Sequence, residues 1–320
     1  MDNKPLLQVE NLKKYFHAGR KNGGKSLVRA VDGVSFPLAR GETLGIVGES
    51  GCGKTTLGRT ILRLLEPDGG EILYDGRDIT HVGMRPYRAR MQIIFQDPFG
   101  SLDPRTRIID SVAEGIRVHK LADTRAARRE KAGGFLERVG LTPDHALRYP
   151  HELSGGQQQR VGIARALAVE PELVVCDEPL SSLDVSMQSQ IINLLEDIQD
   201  RQGLAYLFIS HDLSVVRHIS HRVGVMYLGK LVETGTSDEV IRHPAHPYTR
   251  SLIAAIPAPD PDTGRERSHR ITEVSADYSR PDRGCLYSGV CEYAVGACFE
   301  EEPLLADIAS GHSCACHLRA

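Results

Sequence analysis

The sequence of 320 residues lacks any apolar run of the length that crosses a membrane. A transmembrane helix needs about 20 consecutive apolar residues, and the first 16 residues also lack the uninterrupted apolar core of a signal peptide. The formal net charge is only -3, whereas nucleic-acid-binding domains are typically strongly basic. These absences predict a soluble, cytoplasmic protein and give no reason to expect a nucleic-acid partner.

Cysteine is scarce until the end of the chain. Of the seven cysteines, Cys52 and Cys176 stand alone, and five crowd the last 36 residues: Cys285, Cys291, Cys298, Cys314 and Cys316. In a reducing compartment such a crowd favours a metal site over disulfides.

The apolar pattern predicts an α/β domain with an appendage. Short apolar runs broken by Gly, Asn and Asp predict strands through residues 6–47, and a charged insert at about 105–141 is predicted to be mostly helical. Helices predicted over 157–168 and 186–201 alternate with the apolar strands ELVVC and AYLFIS, as a parallel sheet covered on both faces requires. A β-ribbon and a short helix near 237–242 are predicted to follow, and the Pro-rich segment after His243 predicts a linker and a turn.

A phosphate-binding loop is predicted between a strand and a helix. Gly48-Glu-Ser-Gly-Cys-Gly-Lys54-Thr55 fits G-x-x-x-x-G-K-[ST], and a ligand-free glycine-rich turn is rarely found in that context. Glycines let backbone N–H groups face phosphate oxygens, while Lys54 is expected to reach the β- and γ-phosphates and Thr55 to bind Mg²⁺. The predicted ATP contacts here are Gly48, Glu49, Ser50, Gly51, Cys52, Gly53, Lys54, Thr55 and Thr56.

Two further segments carry polar groups that suit the same chemistry. Asp177 and Glu178 end an apolar strand, which predicts Asp177 near Mg²⁺ and Glu178 as a general base or water-polarising group. Ser154, Gly155, Gly156 and Gln157 open a helix, whose N-terminus is an anion site. Alone, the acid pair is as often structural, and the second segment is only a capped helix start.

The phosphate loop, the Ser154 segment and the acid pair together resemble the nucleotide-binding domain of the ABC ATPases over about residues 5–242. The resemblance implies an ABC-type P-loop ATPase domain at 1–242, with a parallel-sheet core, an antiparallel β subdomain and a helical subdomain at about 97–170. It also implies a dimer in which the Ser154 segment of one subunit closes over the γ-phosphate held by its partner.

The same resemblance assigns single residues. It implies that Gln96 senses Mg²⁺ and water and that Asp184 lies in the Ser181-Ser182-Leu183-Asp184 loop crossing the dimer seam. It also implies that Phe16 stacks on adenine, with neighbouring Tyr15 as the weaker candidate. His211 is expected to hold the γ-phosphate. The predicted catalytic set is therefore Lys54, Gln96, Glu178 and His211, and the predicted Mg²⁺ set is Thr55, Gln96 and Asp177.

Segments outside these motifs resemble the ATP-binding subunits of oligopeptide/dipeptide importers, a branch that includes importers of nickel and other solutes. These segments are 97–105, 148–152 and 243–249. Two further segments, FISHDLSVVRHIS and MYLGKLVETG, favour the F-type subunit. The implied partners are a second homologous ATPase in a heterodimer, two transmembrane permeases docked on the 86–150 insert, and an extracytoplasmic substrate-binding protein. The implied location is peripheral, at the cytoplasmic face of the inner membrane. Less favoured alternatives are a soluble ABC ATPase acting on nucleic acid or ribosomes, and an exporter.

The C-terminal extension, 243–320, carries a cysteine spacing that resembles the cluster motif of these importers. The resemblance implies a [4Fe-4S] cluster held by four thiolates, with zinc or unligated thiols as alternatives. The ligands that fit best are Cys285, Cys291, Cys298 and Cys316, with Cys314 as a possible replacement.

Overall fold

The computed structural model describes residues 4–21, 24–181, 183–255, 281 and 283–318. Ser182 and most of the predicted Pro-rich linker lie outside these residues. The strands are β1 (Leu7–Lys21), β2 (Gly24–Leu38), β3 (Thr43–Val47), β4 (Gly69–Tyr74), β5 (Arg77–Asp78), β6 (Met91–Ile94), β7 (Leu173–Asp177), β8 (Ala205–Ile209), β9 (Arg222–Tyr227), β10 (Lys230–Thr236), β11 (Ala306–Ala309) and β12 (His312–Cys314).

These strands form two sheets. The smaller sheet is antiparallel, with the order β2-β1-β4-β5. The larger one has the order β11-β12-β10-β9-β3-β8-β7-β6; it is parallel from β9 to β6 and antiparallel beyond β9. The predicted parallel-sheet core is confirmed, and an antiparallel sheet accompanies it.

The helices follow the predicted alternation. They are α1 (Lys54–Ile61), α2 (Ile108–Val118), α3 (Arg125–Arg138), α4 (Pro143–Leu147), α5 (Gly155–Leu167), α6 (Val185–Gln202), α7 (Leu213–Ile219), α8 (Ser237–Arg242), α9 (Pro247–Ala254) and α10 (Gly296–Glu300). Within the described parts of the chain, no helix combines the length and apolarity needed to span a bilayer.

The larger sheet is buried on both faces, which explains its continuous apolar strands. In β7, Val174 and Cys176 pack into the cluster formed with α2, α3 and α5, whereas Leu173 and Val175 pack towards α1 and the antiparallel sheet. Side chains of a strand alternate between faces, so the strand can bring Asp177 to its end without interrupting either core.

The chain after His243 differs from the predicted linker and turn, because its first part forms α9. His246 caps this helix by accepting a hydrogen bond from Tyr248 N, and Pro247 occupies the first turn, where a missing N–H costs nothing. Tyr248 and Thr249 are fully buried. Strand β12 then pairs with β10, so the C-terminal segment extends the larger sheet. The division of the chain at residues 242 and 243 stays a prediction.

Candidate nucleotide site

The predicted phosphate loop connects β3 to α1 and lies against two neighbouring strands. A Cβ atom at Gly53 would stand 1.9 Å from the carbonyl oxygen of Ala30, and one at Gly48 would stand 2.2 Å from that of Met226. Gly53 also has a φ of 111°, a left-handed conformation that favours glycine. The loop can therefore follow this path only with glycine at both positions.

The N-terminus of α1 presents backbone N–H groups to the loop. Among the described side chains, none caps this helix, although the first turn of a helix has N–H groups without an intrahelical acceptor. The aligned peptide dipoles add partial positive charge there. The arrangement suits an anion such as a phosphate group.

Lys54 is buried beneath the loop, with 3% of its surface exposed. Its Nζ donates to the carbonyl oxygens of Gly48 at 2.7 Å and Glu49 at 2.9 Å, and it lies 3.8 Å from Glu178 Oε1. Cys52 is also buried here, and burial raises the pKa of its thiol. The lysine thus brings a fixed positive charge to the loop.

Asp177 meets the loop from the end of β7. Its Oδ1 accepts a hydrogen bond from the Thr55 hydroxyl at 2.7 Å, and its Oδ2 lies 3.7 Å from Arg59 Nη2. The side chain is 1% exposed, and Oδ2 has no hydrogen-bond partner among the described residues. Burial raises the pKa of this carboxyl. A buried carboxylate oxygen without a hydrogen bond is costly, and a hard cation beside Thr55 would compensate it.

Glu178 is held by residues from two other strand ends. Its Oε2 accepts a hydrogen bond from Gln96 Nε2 at 3.3 Å and lies 3.1 Å from His211 Nδ1. Gln96 follows β6 and His211 follows β8, so the carboxyl edge of the parallel sheet brings the three together. Glu178 has a φ of 47°, unusual for a residue other than glycine. Backbone strain of this kind clusters at functional sites.

The remaining residues that were predicted to contact ATP lie at the starts of α5 and α6 and on β1. Ser154 and Gln157 form a reciprocal capping box at the start of α5, and Gly155 faces open space. Asp184 caps α6 by accepting from Met187 N at 2.9 Å. Phe16 is 39% exposed on β1. Among the described residues, no hydrogen bond or ion pair joins these side chains to the Glu178 carboxylate.

Arg59 and Tyr248 bring side chains to the site that the sequence patterns did not predict. Arg59 reaches Asp177 from α1, and its spacing of four residues from Thr55 places both on one helix face. Tyr248, in α9, accepts a hydrogen bond from Glu49 N although the two residues are 199 positions apart. Helical spacing signals the first contact, but no local pattern signals the second.

The predicted cluster site in the C-terminal extension is wrong. In residues 283–318 and the other described ranges, no group of three or more His, Cys, Asp or Glu side chains could hold a metal ion. This finding removes the predicted [4Fe-4S] cluster at Cys285, Cys291, Cys298 and Cys316, the alternative with Cys314, and zinc.

Two physical features explain the correction. First, burial raises the pKa of Cys285 and of Cys291, with smaller contributions from neighbouring thiols, and so favours the neutral thiol over the thiolate that iron or zinc binds. Second, Cys314 lies in β12 opposite Glu233 of β10. Strand pairing therefore attaches this segment to the sheet without a metal.

Comparison with known proteins identifies two matching families. The family described as ABC transporter matches residues 31–181, and the family described as oligopeptide/dipeptide transporter, C-terminal region, matches residues 232–298. The oligopeptide transport ATP-binding protein OppF of Bacillus subtilis is 52% identical over 82% of this chain and 86% of its own. A putative peptide import ATP-binding protein of Brucella ovis is 47% identical over 99% of this chain and 98% of its own.

Solved structures are similar in fold. The cbiO1 component of a Clostridium perfringens ABC transporter complex is 29% identical, with a TM-score of 0.65 over 75% of this chain and 92% of its own. The dimeric ATP-binding cassette MJ0796, in a post-hydrolysis state with ADP and Pi, is 27% identical, with a TM-score of 0.65 over 72% of this chain and 98% of its own.

Proposed function

Because this chain belongs to the ABC transporter family, among the ATP-binding proteins of oligopeptide and dipeptide transporters, we propose that it is the ATP-hydrolysing subunit of a peptide importer. The observation that carries the proposal is the meeting of Lys54, Thr55, Asp177 and Glu178 at the carboxyl edge of the parallel sheet. A cationic loop, an acidic cation site and a second carboxylate are the parts that phosphoryl transfer to water needs.

The residues present fit Mg-ATP. Bound Mg-ATP supplies the phosphoryl group that is transferred to water, and its cation offsets the negative charge of the phosphates. Lys54 and the amides of residues 48–56 would hold the phosphates, while Thr55, Gln96 and Asp177 would hold Mg²⁺. The buried Oδ2 of Asp177, which has no hydrogen-bond partner among the described residues, supports this cation site, and the exposed ring of Phe16 would stack on adenine.

Glu178 would act as the general base or polarise the attacking water. Its side chain is 14% exposed, so water can reach a carboxylate whose direction the neighbouring groups fix. Gln96 donates to Oε2, and His211 lies against the same oxygen. His211 would in addition hold the γ-phosphate. Such positioning keeps the base in one place before the substrate arrives.

The site is proposed to be half of a two-subunit site. Gly155 faces open space at the start of α5, where the amides of Gly155 and Gly156, which lie in the first turn of the helix, would meet a phosphate. Residues Ser154 to Gln157 and Asp184 would therefore complete the ATP site of a second, homologous subunit. The dimeric state of the MJ0796 cassette is consistent with this arrangement.

The remaining partners follow from the family. Two permease subunits would dock on the insert at residues 86–150, and an extracytoplasmic binding protein would deliver the peptide. The chain would then lie at the cytoplasmic face of the membrane. Domain boundaries at 1–242 and 243–320, with a helical subdomain at about 97–170, are part of the same proposal.

The proposal is tested first by ATP binding to the full chain. Lys54→Ala should weaken binding roughly 10- to 100-fold, because a hydrogen bond from a charged donor contributes about 1.5 to 3 kcal/mol. Lys131→Ala is a matched control, since Lys131 pairs with Glu170 on the surface. Equal affinities for the two variants would contradict the assigned phosphate loop.

The substrate class is tested in the complex with its native permeases. ATPase activity should rise with peptides across a panel that also contains nickel. Stimulation by nickel alone would retain the ATPase assignment and overturn the peptide assignment.

A further inference from the structure

A hydroxyl group of the C-terminal extension contacts the phosphate loop. Glu49 N donates a hydrogen bond to Tyr248 Oη at 3.0 Å. Glu49 is the second residue of the loop, and Tyr248 lies in α9, inside the region that matches the oligopeptide/dipeptide C-terminal family. A residue of this matched region thus touches the segment proposed to bind ATP.

Tyr248 and Lys54 form hydrogen bonds with the same peptide group, the one between Gly48 and Glu49. The N–H of Glu49 and the carbonyl of Gly48 belong to one peptide plane, and in a trans peptide they point in opposite directions. Tyr248 binds the N–H side, while Lys54 Nζ binds the Gly48 oxygen at 2.7 Å. Rotation of this plane would break both hydrogen bonds. By holding the Glu49 N–H, Tyr248 therefore fixes the orientation of the Gly48 carbonyl, which in turn positions Lys54 Nζ.

An anchor of this kind is needed because Gly48 leaves the plane free to rotate. Glycine has the widest range of backbone conformations, yet the loop requires it, since a Cβ at residue 48 would collide with Met226 O at 2.2 Å. The loop is held at its other side by the hydrogen bond from Gly229 N to Cys52 O at 2.9 Å. Tyr248 supplies the corresponding restraint at the first peptide of the loop.

Tyr248 is itself fixed by its surroundings. It is 1% exposed, and its ring lies 4.5 Å from that of Tyr227 and 5.5 Å from that of Tyr287. The start of α9 is attached to β10, because the Glu233 carboxylate accepts hydrogen bonds from Ala245 N at 2.8 Å and His246 N at 2.9 Å. The hydroxyl is therefore held at a defined place relative to the sheet.

We infer that Tyr248 is a positioning residue for ATP binding, whose hydroxyl orients the Gly48–Glu49 peptide and through it Lys54. The inference rests on the proposed function, because it takes the loop to be the ATP site. It gives the C-terminal extension a direct effect on nucleotide affinity, in addition to its place in the sheet.

The test compares Tyr248→Phe with Tyr287→Phe in the full chain. Both variants remove one hydroxyl from the same aromatic cluster, but that of Tyr287 lies 3.1 Å from Ser251 Oγ and does not accept the Glu49 N–H. Tyr248→Phe should raise the Kd for ATP about 2- to 10-fold, the range for one neutral hydrogen bond. In the complex, KM for ATP should rise by the same factor, while kcat changes less than about twofold. Tyr287→Phe should bind like the wild type.

Hydrogen exchange gives a readout that does not depend on activity. Without nucleotide, the peptide containing Glu49 should exchange faster in Tyr248→Phe than in Tyr287→Phe, because its N–H has lost its acceptor. Equal Kd values and equal exchange in the two variants would overturn the inference. So would a lower unfolding temperature of Tyr248→Phe with unchanged Kd. Failure of the wild type to bind ATP would instead overturn the proposed function on which the inference rests.

Discussion

The phosphate loop and the C-terminal segment at residues 283–318 differ in how their polar side chains are used. The loop runs close to main-chain atoms: a Cβ at Gly53 or Gly48 would collide with the carbonyl of Ala30 or Met226, and Gly229 N binds Cys52 O. The C-terminal segment joins the sheet through the pairing of β12 with β10 and also through its side chains. His312 Nε2 lies 2.8 Å from the buried carboxylate of Glu233.

This difference decides which region has polar groups left for a ligand. Around the loop, Asp177 Oδ2 is buried and has no hydrogen-bond partner in the part of the chain that the structure describes, and Glu178 is 14% exposed to water. In the C-terminal segment, the polar groups bind one another or the sheet: His312 pairs with Glu233, Ser313 donates to Asp307, and His317 contacts the Glu301 carbonyl. The polar side chains beside the loop are therefore available to a ligand, whereas these side chains of the C-terminal segment already bind within the protein.

Glu178→Gln is the most severe test of the claim that the side chains beside the phosphate loop carry the chemistry. We expect turnover by the intact complex to fall roughly 10²- to 10⁴-fold with ATP binding retained, because the variant keeps the shape of the side chain and loses the base. Steady-state ATPase activity and nucleotide binding measure the two effects. Glu170→Gln, a surface change opposite Lys131, should leave turnover unchanged. A rate near that of the wild type for Glu178→Gln would remove the residue from the chemistry.

Glu233→Leu tests the claim that side-chain contacts hold the C-terminal segment. Glu233 is 0% exposed and receives three polar contacts, from Ala245 N, His246 N and His312. Their loss should lower the free energy of unfolding by about 3 to 5 kcal/mol, the range for breaking a buried polar pair. Denaturant unfolding of the full chain measures this change.

Glu302→Leu is the matched control, because Glu302 pairs with Lys230 at the surface and is 45% exposed. Exposed ion pairs contribute about 0 to 1 kcal/mol. Similar unfolding free energies for the two variants would show that the buried carboxylate is not what holds the segment.

The same physical difference explains what the sequence could predict. The loop lies directly between β3 and α1, and Asp177 is the last residue of β7, so spacing and apolar periodicity within each short segment suffice to place them. The cysteine spacing carried no such information, because the path of that segment depends on β12 pairing with a strand about 80 residues earlier.

Helix α9 and its tyrosine were missed for a related reason. Proline-rich sequence is typical of turns. The helix forms there because Tyr248 is buried in the core among the other tyrosines. The contact between Glu49 and Tyr248 spans 199 positions and involves one hydroxyl. Contacts of that kind follow from tertiary packing, which local patterns do not encode.

The smallest of the expected effects concerns His246, which joins the two regions by capping the helix of Tyr248. Burial lowers the pKa of His246 from 6.5 to about 4. The unfolded chain therefore takes up the proton first as the pH falls, and stability present above about pH 6.5 is lost progressively towards pH 4. Between about pH 7.5 and pH 5 this loss should amount to about 2 kcal/mol.

His246→Asn isolates this contribution, because asparagine is a good helix N-cap and does not titrate. The variant should lose about 2 kcal/mol less than the wild type over the same pH interval in denaturant unfolding. If the two proteins lost stability in parallel, His246 would be protonated as readily in the folded chain as in the unfolded one. The cap would then be open to water, and the position of Tyr248 beneath the phosphate loop would not depend on a buried, neutral histidine.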